Sequence, residues 1–240
     1  MKKNLILSIA LLSLSFTNAQ NWKQEKIKEN GNQTTITRTT ESYDKISAGG
    51  SFKVELVSGK EGNITINGDE NIIKNIVTEV VDNTLKIHFD KNKNYSYRSK
   101  ITITVPFEEI SEISFAGSGE ITTKNVIKAT NFKVSFTGSG DGEIDVITTK
   151  IVANLSGSGD LNIKGTTTNL EANVVGSGEM SCGKLESQNG EVSVAGSGEL
   201  KVNCTSDLTA KVTGSGSINY KGKPNSIHKN IAGSGNISSF

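Results

Sequence analysis

The chain has 240 residues, 34% of them hydrophobic and 21% charged, and carries a net charge of +1. Twenty-six Lys and Arg stand against 25 Asp and Glu. That balance excludes an electrostatic binder of nucleic acid, whose domain would show a basic excess.

The chain opens with Lys2 and Lys3, an apolar run from Leu5 to Phe16, and Thr17-Asn18-Ala19. A basic start, an apolar centre and a small residue at the end predict a signal peptide over residues 1–19. The run is too short to span a bilayer permanently. No Cys lies near the cut for a lipid anchor, and no second hydrophobic segment follows. The expected mature chain is exported, without a membrane span, to the periplasm, the outer surface or the medium. Losing Lys2 and Lys3 takes its net charge from +1 to −1.

Residues 20–41 are polar and read as a flexible leader or an edge strand, with alternation only at Thr34–Thr39. Residues 42–115 follow as an irregular N-terminal part. Its Gly49-Gly50-Ser51 reads as a degenerate form of a triplet found later, with one residue dropped. Strands are expected at Asn63–Asn67, Thr84–Phe89 and Ile101–Val105, the last stopped by Pro106. Asp69 is placed to cap a short helix whose Ile72, Ile73, Ile76 and Val77 share a face.

Residues 116–240 carry a repeat. Gly-Ser-Gly begins at Gly117, Gly138, Gly157, Gly176, Gly196, Gly214 and Gly233, at intervals of 21, 19, 19, 20, 18 and 19 residues. A period near 20 marks a solenoid, in which one coil cannot bury its apolar face alone. Two residues before each triplet stand Phe115, Phe136, Leu155, Val174, Val194, Val212 and Ile231. Four residues before it stand Ile113, Val134, Ala153, Ala172, Val192, Ala210 and Lys229. Apolar residues keep the even positions on both sides while the odd ones carry Lys, Glu, Asn, Ser or Thr. Period-2 alternation is a strand with one buried face.

The second glycines (Gly119, Gly140, Gly159, Gly178, Gly198, Gly216 and Gly235) share the even parity of the first. Either the interior is too narrow there for a Cβ, or the chain turns with positive φ. Polar stretches such as Lys164–Asn169 are expected to close each coil. Coils stacked about 4.8 Å apart make a rod roughly 35 Å long with a dry interior. The reading is all-β: a right-handed parallel β-helix with coils of about 19–20 residues and an irregular N-terminal cap.

Cys182 and Cys204 lie in adjacent coils, but their offsets from the triplet differ by two residues. That places them about 8 Å apart, beyond the usual disulfide limit near 7 Å. They read as small inward fillers.

From about Ser42 the chain resembles the putative auto-transporter adhesin, head GIN domain family. The resemblance rests on YDKISAGGSFKVEL, NITINGDENIIKNIVTEVVDNTLKIHF, ITITVP and the serial GSGE, GSGD and GSGN units. It implies an exported β-helix-like protein without an established activity. The chain departs from an autotransporter in having short expected strands and no C-terminal membrane barrel.

Five acids follow the triplets: Glu120, Asp141, Asp160, Glu179 and Glu199. Stacked carboxylates are candidate calcium ligands. At odd parity they point to solvent, and the favoured reading is a solvated ladder. Clustered acids with a base would suit a carbohydrate-active enzyme. His88 and His228 lie far apart, however, and no Arg falls in the coils. Threonine pairs are too irregular in offset for an ice-binding face. Tyr95 and Tyr97, two apart in a polar stretch, are the candidates for a glycan-stacking patch. No motif calls for a cofactor. The expected function is a non-enzymatic, adhesin-like binding module for a glycan or surface protein. The alternatives are a structural envelope protein without a discrete ligand and, more remotely, a β-helix enzyme.

Overall fold

Alternation around each triplet becomes one continuous parallel ladder. The computed structural model describes residues 25–240. The expected signal peptide, residues 1–19, falls outside the described residues. In chain order the N-terminal part holds β1 (Glu25–Lys28), β2 (Gln33–Thr39), β3 (Lys45–Gly50), β4 (Lys53–Ser58) and β5 (Asn63–Asp69). It continues with α1 (Glu70–Ile73), β6 (Ile76–Val81), β7 (Thr84–Phe89), β8 (Lys93–Ser96) and β9 (Thr102–Phe107). The repeat follows as β10 (Glu112–Gly117), β11 (Glu120–Thr123), β12 (Ile127–Gly138), β13 (Asp141–Gly157) and β14 (Asp160–Gly176). It ends in β15 (Glu179–Gly196), β16 (Glu199–Gly214), β17 (Ser217–Lys221), β18 (Ser226–Gly233) and β19 (Asn236–Ser239).

The strands of the central coils are longer than the alternation alone suggests. β13 to β16 run 16 to 18 residues, because backbone pairing continues through the segments expected to be closing loops. Lys164, Thr167 and Asn169 of β14, for instance, pair with Lys184, Ser187 and Asn189 of β15. The fold is a stacked parallel β-helix, and its register turns sequence offsets into columns. Ile46, Ile113, Val134, Ala153, Ala172, Val192 and Ala210 line one buried column. Ala48, Phe115, Phe136, Leu155, Val174, Val194 and Val212 line the next, with Phe115 and Phe136 stacked at 5.4 Å.

The two explanations for the glycine pair divide between its members. Gly157 has φ of +127°, and a Cβ there would stand 2.1 Å from the Gly138 carbonyl oxygen. Gly159 has no positive φ, yet its Cβ would stand 2.1 Å from the Gly140 oxygen. The first glycine therefore turns the chain, and both let successive backbones pack at a corner. Hydrogen bonding continues through that corner, as Ser158 N donates to Gly138 O at 2.9 Å.

The column of first glycines begins at Gly50, which pairs with Gly117. No residue is dropped there, contrary to expectation. Ser47 pairs with Ser114 and Ala48 with Phe115, so Phe52 occupies the place of the second glycine. Gly142 stands where most coils carry an apolar residue four positions after the triplet's first glycine. It pairs in line between Ile121 and Leu161, and the Phe136 ring fills its space, 2.6 Å from where a Cβ would be.

Another inward column is polar. Thr148, Thr167, Ser187 and Cys204 are in register and buried. Thr167 Oγ1 donates to Thr149 O and Asn169 O at 3.2 Å each, and Ser187 Oγ to Asn203 O at 2.7 Å. Cys204 Sγ takes the same role toward Gln188 O at 3.0 Å and Asp207 O at 3.2 Å. Cys204 is therefore a weak donor at a corner rather than an apolar filler. Cys182 and Cys204 are both buried and unpaired.

The N-terminal part departs from simple coils. β2 pairs antiparallel with β5, β5 antiparallel with β9, and β6 antiparallel with β7. Asp69 caps α1 through Asn71 N at 3.0 Å and also accepts from Asn30 N and Gly31 N. The helix ends before the expected Ile76 and Val77. Asn75 donates to Asn71 O at 2.8 Å, and the β-branched run from Ile76 joins β7 instead. Pro106 does not stop its strand. β5 pairs with β9 only as far as Thr104, so Pro106 faces no partner on that side and needs no N–H there.

Candidate functional site

Odd positions point outward and stack as registered columns on the face that follows the triplets. One runs Lys53, Glu120, Asp141 and, farther along, Asp160, Glu179, Glu199, Ser217 and Asn236. Two residues on runs Glu55, Thr122, Glu143, Asn162, Ser181, Lys201 and Asn219. The predicted carboxylates are thus brought together as one ladder; Lys53 heads the same column, and Lys201 leans onto it from the next.

Those lysines neutralise the ladder unevenly. Lys53 Nζ lies 3.0 Å from Glu120 and 3.6 Å from Glu55. The hydrogen bond between them holds Glu120 below the usual carboxylate range and lifts Lys53 above the usual lysine range. Lys201 lies 2.7 Å from Glu179 and 3.3 Å from Glu199, and its own pKa is raised chiefly by the Glu179 bond. Asp141 and Asp160, between these two pairs, have no lysine, arginine or histidine within 4.0 Å among the described residues. Both are exposed.

They border a groove of about 600 Å³ crossing several coils, whose other walls include Glu143, Asn162, Lys164 and Lys184. Lys164 is shared at 3.8 Å by Glu143 and Asp145, while Lys184 stands beside it in the register. The groove therefore offers two unpaired carboxylates along one side, amide and hydroxyl groups across its floor, and ammonium groups opposite. Such a surface can hydrogen-bond a hydroxyl-rich or cationic ligand on a rigid backbone. Among the described residues no group of three or more His, Cys, Asp and Glu is arranged to hold a metal ion.

The two candidate tyrosines lie elsewhere. β8 carries Tyr95 and pairs with β1. The Tyr95 ring lies 4.6 Å from Phe89 and the Tyr97 ring 5.8 Å, so both face the same way. Phe89 in turn contacts Phe52 at 5.6 Å. The Tyr97 hydroxyl meets Ser51 Oγ at 2.7 Å, and burial raises its pKa. Tyr95 donates to Asp90 O at 3.1 Å. Both rings pack onto the Phe89 end of the rod. His88 and His228 sit toward opposite ends of the strand stack, in β7 and β18.

A family model described as "putative auto-transporter adhesin, head GIN domain" matches residues 42–224. The chain belongs to this head GIN domain family. Its fold is similar to that of a putative adhesin from Bacteroides fragilis NCTC 9343, with TM-score 0.83 and 28% identity. That match covers 89% of this chain and 100% of the other. A putative lipid binding protein from Parabacteroides distasonis ATCC 8503 is similar over 90% of this chain and 100% of its own, with TM-score 0.76 and 29% identity. A putative adhesin from Parabacteroides merdae ATCC 43184 shares the fold at 20% identity, covering 90% of this chain and 99% of that one with TM-score 0.76. Curated proteins gave no match. Among the described residues of this head GIN chain, no helix is long and apolar enough to cross a membrane.

Sequence reasoning missed the groove because its walls come from lysine and acid columns aligned by register. Counting residues from the triplet cannot align Lys184 with Lys164, since β15 carries a register shift just before that pair.

Proposed function

We propose that this head GIN chain is an exported, non-enzymatic, adhesin-like module that binds a glycan or a surface protein at the cell surface or in the periplasm. The single observation that carries this reading is the groove with its unpaired Asp141 and Asp160. A parallel β-helix presents such groups with their spacing already fixed, so little ordering cost is left for binding. Hydroxyls of a glycan suit Asp141, Asp160 and Asn162 together, and a lysine-bearing segment of a protein suits the carboxylates alone. The name of the Parabacteroides distasonis neighbour suggests a lipid. A lipid tail would need apolar walls, whereas the groove here is lined largely by charged and amide groups.

A structural envelope role is the second reading. It is favoured by the scatter of the exposed large apolar residues among those described: Val81, Val126, Ile147, Val175, Ile231 and Phe240 fall on separate strands or connections. Protease shaving of intact cells, followed by a glycan and matrix-protein binding screen, tests the proposal. Cleavage at the surface with saturable binding is expected. A protein that binds nothing in the screen, wherever it is found, would leave the structural role.

A further inference from the structure

A groove of about 580 Å³ lies beside the Phe89 end of the rod, away from Asp141 and Asp160. It runs between Ser51 and residues 95–100, and among the described residues no carboxylate lines it. Its lining is the side chains of Arg98 and Lys100, the partly buried rings of Tyr95 and Tyr97, and serines. Arg98 and Lys100 are exposed, and neither makes an ion pair among the described residues. Of the 26 cationic residues only Arg38 and Arg98 are arginine. A guanidinium offers an oxyanion a planar fork that an ammonium cannot.

The contacts that hold this segment leave its cations free. Glu29 Oε2 accepts from the backbone N–H groups of Arg98 at 3.1 Å and Ser99 at 3.0 Å, not from either cationic side chain. The Tyr97 hydroxyl is tied to Ser51 Oγ, and Lys53 N donates to Ile101 O at 2.9 Å. Ser99 Oγ is buried in the groove wall without a hydrogen-bond partner among the described residues, a state that natural structures rarely leave unused. Positive charge continues past the groove along β1. There the exposed Lys26 and Lys28 pair in register with Asn94 and Ser96, while Glu25 pairs with Lys93.

We propose that this groove is a second binding site, for an acidic saccharide whose sugar rings carry carboxylate or sulfate groups. Arg98 and Lys100 bind the anionic groups through charge-assisted hydrogen bonds. Serine hydroxyls meet the hydroxyls of the sugar, and the apolar C–H face of its ring packs on Tyr95 or Tyr97. A free anion would engage the cations alone and leave both aromatic rings without a role. Lys26 and Lys28 extend the positive strip, which suits a polymer longer than one sugar. The site is opposite in sign to the groove at Asp141 and Asp160 and does not depend on it.

The test is interferometric binding of the mature protein to polygalacturonate, dextran sulfate, neutral dextran and polyglutamate, at low and high salt. Saturable binding is expected to polygalacturonate, to dextran sulfate or to both, which tells carboxylate from sulfate as the preferred anion. Neutral dextran should not bind, polyglutamate should bind far more weakly, and salt should weaken the interaction. Arg98→Gln with Lys100→Gln should lower the affinity about tenfold, through the lost charge-assisted bonds. Tyr95→Leu with Tyr97→Leu, which keeps apolar packing on Phe89, should lower it several-fold. Removing equal charge elsewhere, by Lys221→Gln with Lys223→Gln, should leave it unchanged, as should Asp141→Asn with Asp160→Asn. Melting temperatures confirm that each variant is folded. The proposal is overturned if neither acidic saccharide binds saturably, if polyglutamate binds as tightly, or if the Lys221 and Lys223 variant loses as much as the Arg98 and Lys100 variant. Full affinity in the folded tyrosine variant would overturn it equally.

Discussion

Cys204 stacks on Ser187, not on Cys182, which pairs with Val202. The two thiols are therefore five positions out of step along β15, farther than their offsets from the triplet imply. Burial also pushes the Cys182 thiol up to about 12. Neither thiol should react with a thiol reagent in the native protein. Both should react in denaturant without a reductant, and finding none there would establish a disulfide.

Because Cys204 continues the Thr148–Thr167–Ser187 column, the column's hydrogen bonds matter more than its volume. Thr167→Val removes the donor to two corner carbonyls and is expected to cost about 1–2 kcal/mol. Cys204→Ser keeps a donor and should cost less than Cys204→Val. Equal denaturation midpoints for all three variants would show that the column is indifferent to hydrogen bonding.

Two glycines with positive φ separate conformational strain from close packing. Gly31, at +84°, has nothing within 4 Å of where its Cβ would be, while Gly157 faces the Gly138 carbonyl. Gly31→Ala should cost about 1 kcal/mol, the price of the backbone conformation. Gly157→Ala should cost roughly 3 kcal/mol or more, because the colliding atom is backbone and cannot rotate away. Chemical denaturation midpoints check the difference.

The Lys53–Glu120 pair makes a pH prediction at both ends of the scale. Glu120 is depressed from 4.5, so its stabilisation is present above that value and is lost as pH falls through the lower folded value. Lys53 is raised from 10.5, so its stabilisation is complete below that value and is lost as pH rises through the higher folded one. Both side chains are a third or more exposed, which screens the pair to less than about 1 kcal/mol. Lys53→Gln should slightly lower the melting temperature at neutral pH and flatten its fall at both extremes. An unchanged pH profile would remove the pair from the stability of the first coil.

Much of the fold was legible because the triplet recurs at one parity with the apolar residues. The coil period, the strand alternation and the glycine corners follow from that alone. The rest depended on register. Phe52 replaces a second glycine, which made the first coil look one residue short. Gly142 interrupts the apolar pattern of its column, and it is the Phe136 ring that fills its space. The Thr–Thr–Ser–Cys column was hidden because differences in coil length fall between it and the preceding triplet, from which its members stand at unequal offsets; counted back from the following triplet, Thr148, Thr167 and Ser187 coincide. The five acids were plain in sequence, but which of them lack a lysine was not, since Lys53 reaches Glu120 and Lys201 reaches Glu179 from another strand.

The groove is where the functional account stands or falls. The most direct measurement is saturable binding of the mature protein to a glycan and matrix-protein array, set beside the Asp141→Asn, Asp160→Asn double variant. The expected result is binding that drops at least tenfold in the variant while its melting temperature stays within a degree or two. Binding that is undiminished in the variant would contradict the assignment of the groove as the binding surface.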